Sequence, residues 1–123
     1  MMELEEVEVL LEEIIDGFPK ELFDKLNGGI LLLPEEKRNP DPRLHDLYIL
    51  GEYHSGGGLG RYIVLYHGSF QKVFGEFGKR KLRRELEKTL KHEFVHHLES
   101  LAGERSLEKE DRQFIINFLE GKK

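Results

Sequence analysis

Leu4, Val7, Leu10, Leu11, Ile14 and Ile15 recur at helical spacing with glutamates between them, so residues 3–16 read as an amphipathic helix. Asp16-Gly17 ends it, and Pro19 opens a shorter helix over 19–26. Asn27-Gly28-Gly29 is a turn, and the short apolar run 30–33 reads as a buried strand. Residues 34–46 are polar and carry Pro34, Pro40 and Pro42, which marks a loop. Two segments rich in aliphatic and aromatic residues follow, 47–53 and 61–67. They read as an antiparallel hairpin, with Ser55-Gly56-Gly57-Gly58-Leu59-Gly60 as a long flexible loop. A single helical turn is expected over 69–75.

From residue 79 to 101 the spacing is helical again, with Leu82, Leu86, Leu90, Phe94, Leu98 and Leu101 on one arc and Gly103 as the stop. Ser106 reads as the N-cap of a last helix whose apolar face is Leu107, Phe114, Ile115, Phe118 and Leu119. The order helix, helix, strand, hairpin, helix, helix predicts an α+β domain with a small sheet, residues 1–123 forming one domain.

Composition narrows the function. Apolar residues make up 38% and charged residues 35%, enough for one modest core under a charged surface. The net charge of −5 argues against nucleic acid as a partner. The basic run Lys79-Arg80-Lys81, Arg83, Arg84 is read as a solvated helix start. There is no cysteine, so any metal must be held by histidine and carboxylate. No apolar run approaches membrane-span length, and Glu3, Glu5, Glu6 and Glu8 are the reverse of a signal peptide's positive start. The expectation is a cytoplasmic monomer acting on a peptide or protein substrate, away from membranes.

The chemistry lies in His92-Glu93-Phe94-Val95-His96. A helix advances 100° per residue, so His92 and His96 stand one turn apart on one side and can reach one Zn²⁺ together. Glu93 lies beside them, placed to take a proton from a water without ligating the metal. This pattern encodes metal-assisted amide hydrolysis, with Glu93 as general base. His97 falls inside the apolar arc and reads as a core histidine with a hydrogen-bond partner. Glu99 is on the ligand side but seven residues from His92, about 10 Å along the axis, too far for the same ion.

A catalytic zinc needs a third protein ligand, and the returning segment offers Glu104, Glu108, Glu110 and Asp111. Asp111 stands four residues after Leu107 and three before Phe114, a carboxylate on an otherwise apolar face. Such a group needs a metal or a buried partner, so Asp111 leads, followed by Glu110 and Glu108.

The string His92-Glu93-Phe94-Val95-His96-His97-Leu98, then Gly103 and Leu107-Glu108-Lys109-Glu110-Asp111, resembles the small bacterial zincin-like metallopeptidase family. Asp16-Gly17-Phe18-Pro19, the strand 30–33 and Leu65-Tyr66-His67-Gly68 extend the resemblance over most of the chain. It implies a minimal zincin-like fold: a small mixed sheet packed on the HExxH helix and a following C-terminal helix. It also implies zinc on His92 and His96, and Glu93 as base. Some members carry a glycine and then an acidic ligand at three-residue steps after the motif; here those positions are Glu99 and Ala102. Zincins bind their substrate peptide antiparallel to a sheet edge, which would make 61–67 the edge beside the metal and Tyr66 a candidate oxyanion donor. The alternative function is a non-catalytic zinc- or peptide-binding module of the same fold.

Three features outside the motif were candidates for the cleft. The glycine run lacks a following Gly-Lys-Ser/Thr and is read as a loop rather than a phosphate cradle. His54 and His67 flank the hairpin, and each is read first as an ordinary strand or surface histidine.

Overall fold

The computed structural model describes residues 2–44, 46–103 and 109–121, with backbone alone for 109–111. Helix α1 (Leu4–Asp16) buries Val7, Leu10, Leu11 and Ile14, and Glu6 caps its start by accepting a hydrogen bond from Glu3 N at 3.1 Å. A short 3₁₀ turn, Lys20–Phe23, replaces the helix expected over 19–26. Three strands follow: β1 (Gly29–Leu33), β2 (Gly51–Gly57) and β3 (Gly60–Tyr66). Then come α2 (His67–Phe74), α3 (Lys79–Gly103) and α4 (Lys109–Leu119). Helix α2 starts two residues before the expected turn and runs for eight residues.

The sheet is mixed, in the order β1-β3-β2. Strand β1 runs parallel to β3 from Gly29↔Tyr62 to Leu33↔Tyr66, and β2 runs antiparallel to β3 from Gly51↔Leu65 to His54↔Tyr62. The α+β class is therefore as the hydrophobic pattern predicts, but two details differ. The glycine run is not a long loop: β2 continues through it with an irregularity between His54 and Gly57, and Gly57 pairs with Gly60 across a two-residue turn. Gly56 (φ 87°) and Gly60 (φ 73°) adopt left-handed backbone, which only glycine takes without strain. The second difference is that 61–67 is not the edge. Strand β3 is central, flanked on both sides, and β2 is the edge that meets α3.

Helix α3 buries its predicted stripe, Leu82, Leu86, Leu90, Phe94, Leu98 and Leu101, together with Glu93 and His97. Phe94 packs on Phe18 (5.8 Å between ring centroids) and Phe23 (5.4 Å), and Phe18 packs edge-on against Phe118 of α4 at 5.2 Å. These rings lock α1, the 3₁₀ turn and α4 against the motif helix. Ser106 and Leu107 lie outside the described residues. No helix among the described residues is long and apolar enough to cross a membrane.

Candidate metal centre and cleft

The rotation of α3 about its own axis decides where the motif points, and His97 fixes it. Its ring is buried, 2% exposed, and bonded at both nitrogens: Nε2 to the carbonyl of Asp24 at 2.8 Å, Nδ1 to the hydroxyl of Tyr53 at 2.8 Å. A carbonyl only accepts, so Nε2 carries the proton and Nδ1 accepts from Tyr53. Burial pushes this imidazole below its ordinary pKa, keeping it neutral. His97 thus ties α3 to β2 and to the segment after the 3₁₀ turn, as a core histidine with partners.

With α3 so fixed, His92 and His96 present their rings side by side, centroids 4.8 Å apart and nearly perpendicular at 87°. Glu99 lies 3.1 Å from Nδ1 of His96. A ring N–H donated to a carboxylate leaves the other nitrogen, Nε2, unprotonated and oriented, the usual support of a metal-binding histidine. Glu99 therefore serves as the hydrogen-bond partner of His96. The three-residue step from His96 to Glu99 was the available signal.

Glu93 is 5% exposed. Burial pushes its carboxyl above the ordinary carboxylate range. The imidazoles of His92 and His96 pull it back, Glu52 adds to the rise and His54 opposes it.

Two adjoining cavities, about 640 and 760 Å³, open between α3 and β2 and share Ile49, Gly51, His92 and Glu93. Together they form one groove that follows α3 from Glu85 to Ser100. That is about 22 Å at 1.5 Å per residue, room for roughly six residues of extended chain. Tyr66 N donates to Leu50 O at 2.9 Å, so Leu50–Tyr66, Glu52–Val64 and His54–Tyr62 are the hydrogen-bonded pairs. The N–H and C=O groups of Gly51 and Tyr53 consequently point away from β3.

Several expected positions are now placed. Tyr66 does not serve as an oxyanion donor: its hydroxyl donates to Glu52 Oε1 at 2.5 Å. Glu52 also receives Lys37 Nζ at 2.8 and 2.9 Å. Burial would raise the Glu52 carboxyl, but the hydrogen bonds from Lys37 and Tyr66 outweigh it and hold it below the usual range. Glu52 lines the cleft and was not singled out from sequence, where a lone polar strand residue carries no signal. His54 lines the cleft with His92, Glu93 and His96, whereas His67 lines neither cavity.

Among the described residues no group of three or more histidine or carboxylate side chains converges as a metal site. Glu104 and Glu108 lie outside those residues, as do the side chains of Glu110 and Asp111. The backbone of Asp111 lies near the start of α4, two turns before Leu119, which lines the cleft beside His92.

Fold and cleft together define an α+β domain with an imidazole pair and a buried carboxyl at a sheet edge. No family model matches the chain, and no curated protein matches it. The solved structure of a conserved hypothetical protein from Thermus thermophilus is similar, with a TM-score of 0.74 and 36% identity, covering 83% of this chain and 99% of that one. The chain belongs to the family of that protein.

Proposed function

We propose that this protein is a zinc-dependent peptidase of minimal zincin-like fold. The observation that carries the reading is the placement of buried Glu93 beside the paired imidazoles of His92 and His96, in a groove walled by an open strand edge. The donor chemistry fits zinc: two imidazoles one helical turn apart, one of them oriented by a carboxylate. Asp111 is the proposed third ligand, ahead of Glu110 and Glu108. When bound, zinc acidifies a water and polarises a carbonyl.

The chain's own groups do the rest. Gly51, whose backbone groups point away from β3, offers hydrogen bonds to an extended peptide lying antiparallel to β2. Glu93 takes the proton of the attacking water and returns it to the departing amine.

Replacing Glu93 by Gln keeps the shape of the side chain but removes the base. The Glu93→Gln protein should retain its zinc and its unfolding midpoint while hydrolysis of a peptide library falls by about 10²–10⁴-fold. A variant that cleaves as well as the parent rules out the catalytic reading and leaves a zinc- or peptide-binding module.

A further inference from the structure

The two halves of the groove differ in charge. In the half that follows α3 from Glu85 to His92, the walls are apolar: Tyr48, Ile49, Leu50, Val95 and Leu119. Lys88 and Lys91 line the same half. Among the described residues neither lysine is in an ion pair. Lys91 Nζ sits over the ring of Phe118 at 5.0 Å, so α4 positions its ammonium. Glu85, the carboxylate beside them, lies 3.8 Å from Lys81 Nζ. The other half carries Glu52, His54 and Glu99 and, among the described residues, no lysine or arginine.

Direction decides which end of a substrate meets the lysines. Helix α3 and strand β2 run the same way along the groove. Gly51 lies against Thr89, where an added Cβ would come within 3.1 Å of Cγ2, and Tyr53 bonds His97. A peptide antiparallel to β2 therefore has its amino end at His54 and Ser55 and its carboxyl end at Tyr48 and Lys88. Lys88, His92 and His96 follow one another at four-residue steps on one face of α3. Lys88 is thus rooted about 6 Å before His92 along the helix axis, which is about two residues of extended chain.

We infer that Lys88 and Lys91 hold the C-terminal carboxylate of a peptide, about two residues past the bond that is cut. The apolar walls take the side chains of those last residues. A bound peptide covers both ammoniums from water, and that is costly unless it brings an anion to meet them. The inference rests on the peptidase reading and gives its substrate class: peptides with apolar carboxyl ends, from which a short fragment is released. Water adds across the C–N bond. Its oxygen joins the longer fragment as the new carboxyl, and the proton that Glu93 carries goes to the amine of the released fragment. Lys88 and Lys91 exchange no proton.

The test reads binding before activity. Zinc-loaded Glu93→Gln protein, which leaves peptides intact, is titrated by fluorescence anisotropy with a labelled peptide ending in Phe-Leu, with its C-terminal amide, and with an amide in which Glu replaces the last Leu. Amidation of the Phe-Leu peptide should raise Kd about tenfold. Adding Lys88→Gln and Lys91→Gln together should remove that difference. Lys88 is exposed and outside the Phe118 contact, so Lys88→Gln alone should remove much of it at an unchanged unfolding midpoint. The zinc-loaded parent should release Phe-Leu from the free-acid peptide, as read by mass spectrometry. Equal affinity for acid and amide overturns the inference, as does a difference that survives both substitutions or cleavage away from the carboxyl end. Tight binding of the Glu amide alone overturns the C-terminal assignment and gives the lysines to an acidic side chain. A protein that binds as expected while the parent hydrolyses no peptide fails the peptidase reading and upholds the carboxylate site.

Discussion

His97 and Glu99 show how neighbouring residues on one helix divide the labour. The first faces inward and sets the rotation of α3; the second faces outward and orients His96. The inward role was legible, because position 97 falls inside the apolar arc of α3. The outward one was carried only by the three-residue step from His96, a weak signal on a charged helix face where solvated glutamates share the same spacings. Truncating His97 to Ala should strand the Tyr53 hydroxyl and the Asp24 carbonyl in a buried site. It should cost about 2–4 kcal/mol in urea unfolding for the two lost hydrogen bonds and the cavity. A loss below about 0.5 kcal/mol would mean that the ring does not fix the helix.

At the scale of elements, the motif helix was the most readable part of the chain. Its stripe from Leu82 to Leu101 repeats at helical spacing, and every member is buried. Phe94 sits at the centre of that stripe, fully buried between Phe18 and Phe23, so Phe94→Ala should cost about 3–5 kcal/mol. The antiparallel hairpin is as the pattern predicts, but its glycine run differs for a physical reason. Glycines signal loops by composition, yet at Gly56 and Gly60 they serve as left-handed positions inside a strand and turn. Strand order was misread too, because which strand is central depends on the parallel pairing of β1 with β3, a long-range match that local pattern does not encode. Gly68 shows a close approach of backbone to backbone. A Cβ there would lie 2.5 Å from Glu36 N and 2.6 Å from Glu35 C, so Gly68→Ala must push α2 from the loop. The expected loss is about 1–3 kcal/mol, read from the denaturant midpoint; an unchanged midpoint would refute the contact.

For the whole molecule, the described acid–base groups set how stability varies with pH. His67 is held neutral by burial, which outweighs the opposing pull of Glu3 and Glu5, so its pKa when folded lies below the ordinary 6.5. The unfolded chain therefore takes up the proton first as pH falls. Stability from this group is complete above 6.5 and is lost as pH drops through the lower folded value; buried His97 has the same sign. The unfolding midpoint should fall as pH drops below 6.5, and His67→Gln should make that fall shallower. An equally steep fall in the variant would exclude His67 as a contributor.

The placement of Glu93 between two imidazoles at an open strand edge gives the molecule its proposed chemistry, and that chemistry depends on a metal held by His92 and His96. Elemental analysis of the purified protein, side by side with His92→Ala and His96→Ala, tests this most directly. One zinc per chain in the parent and a near-complete loss in both variants is the predicted result. Zinc content unchanged by either substitution would contradict it.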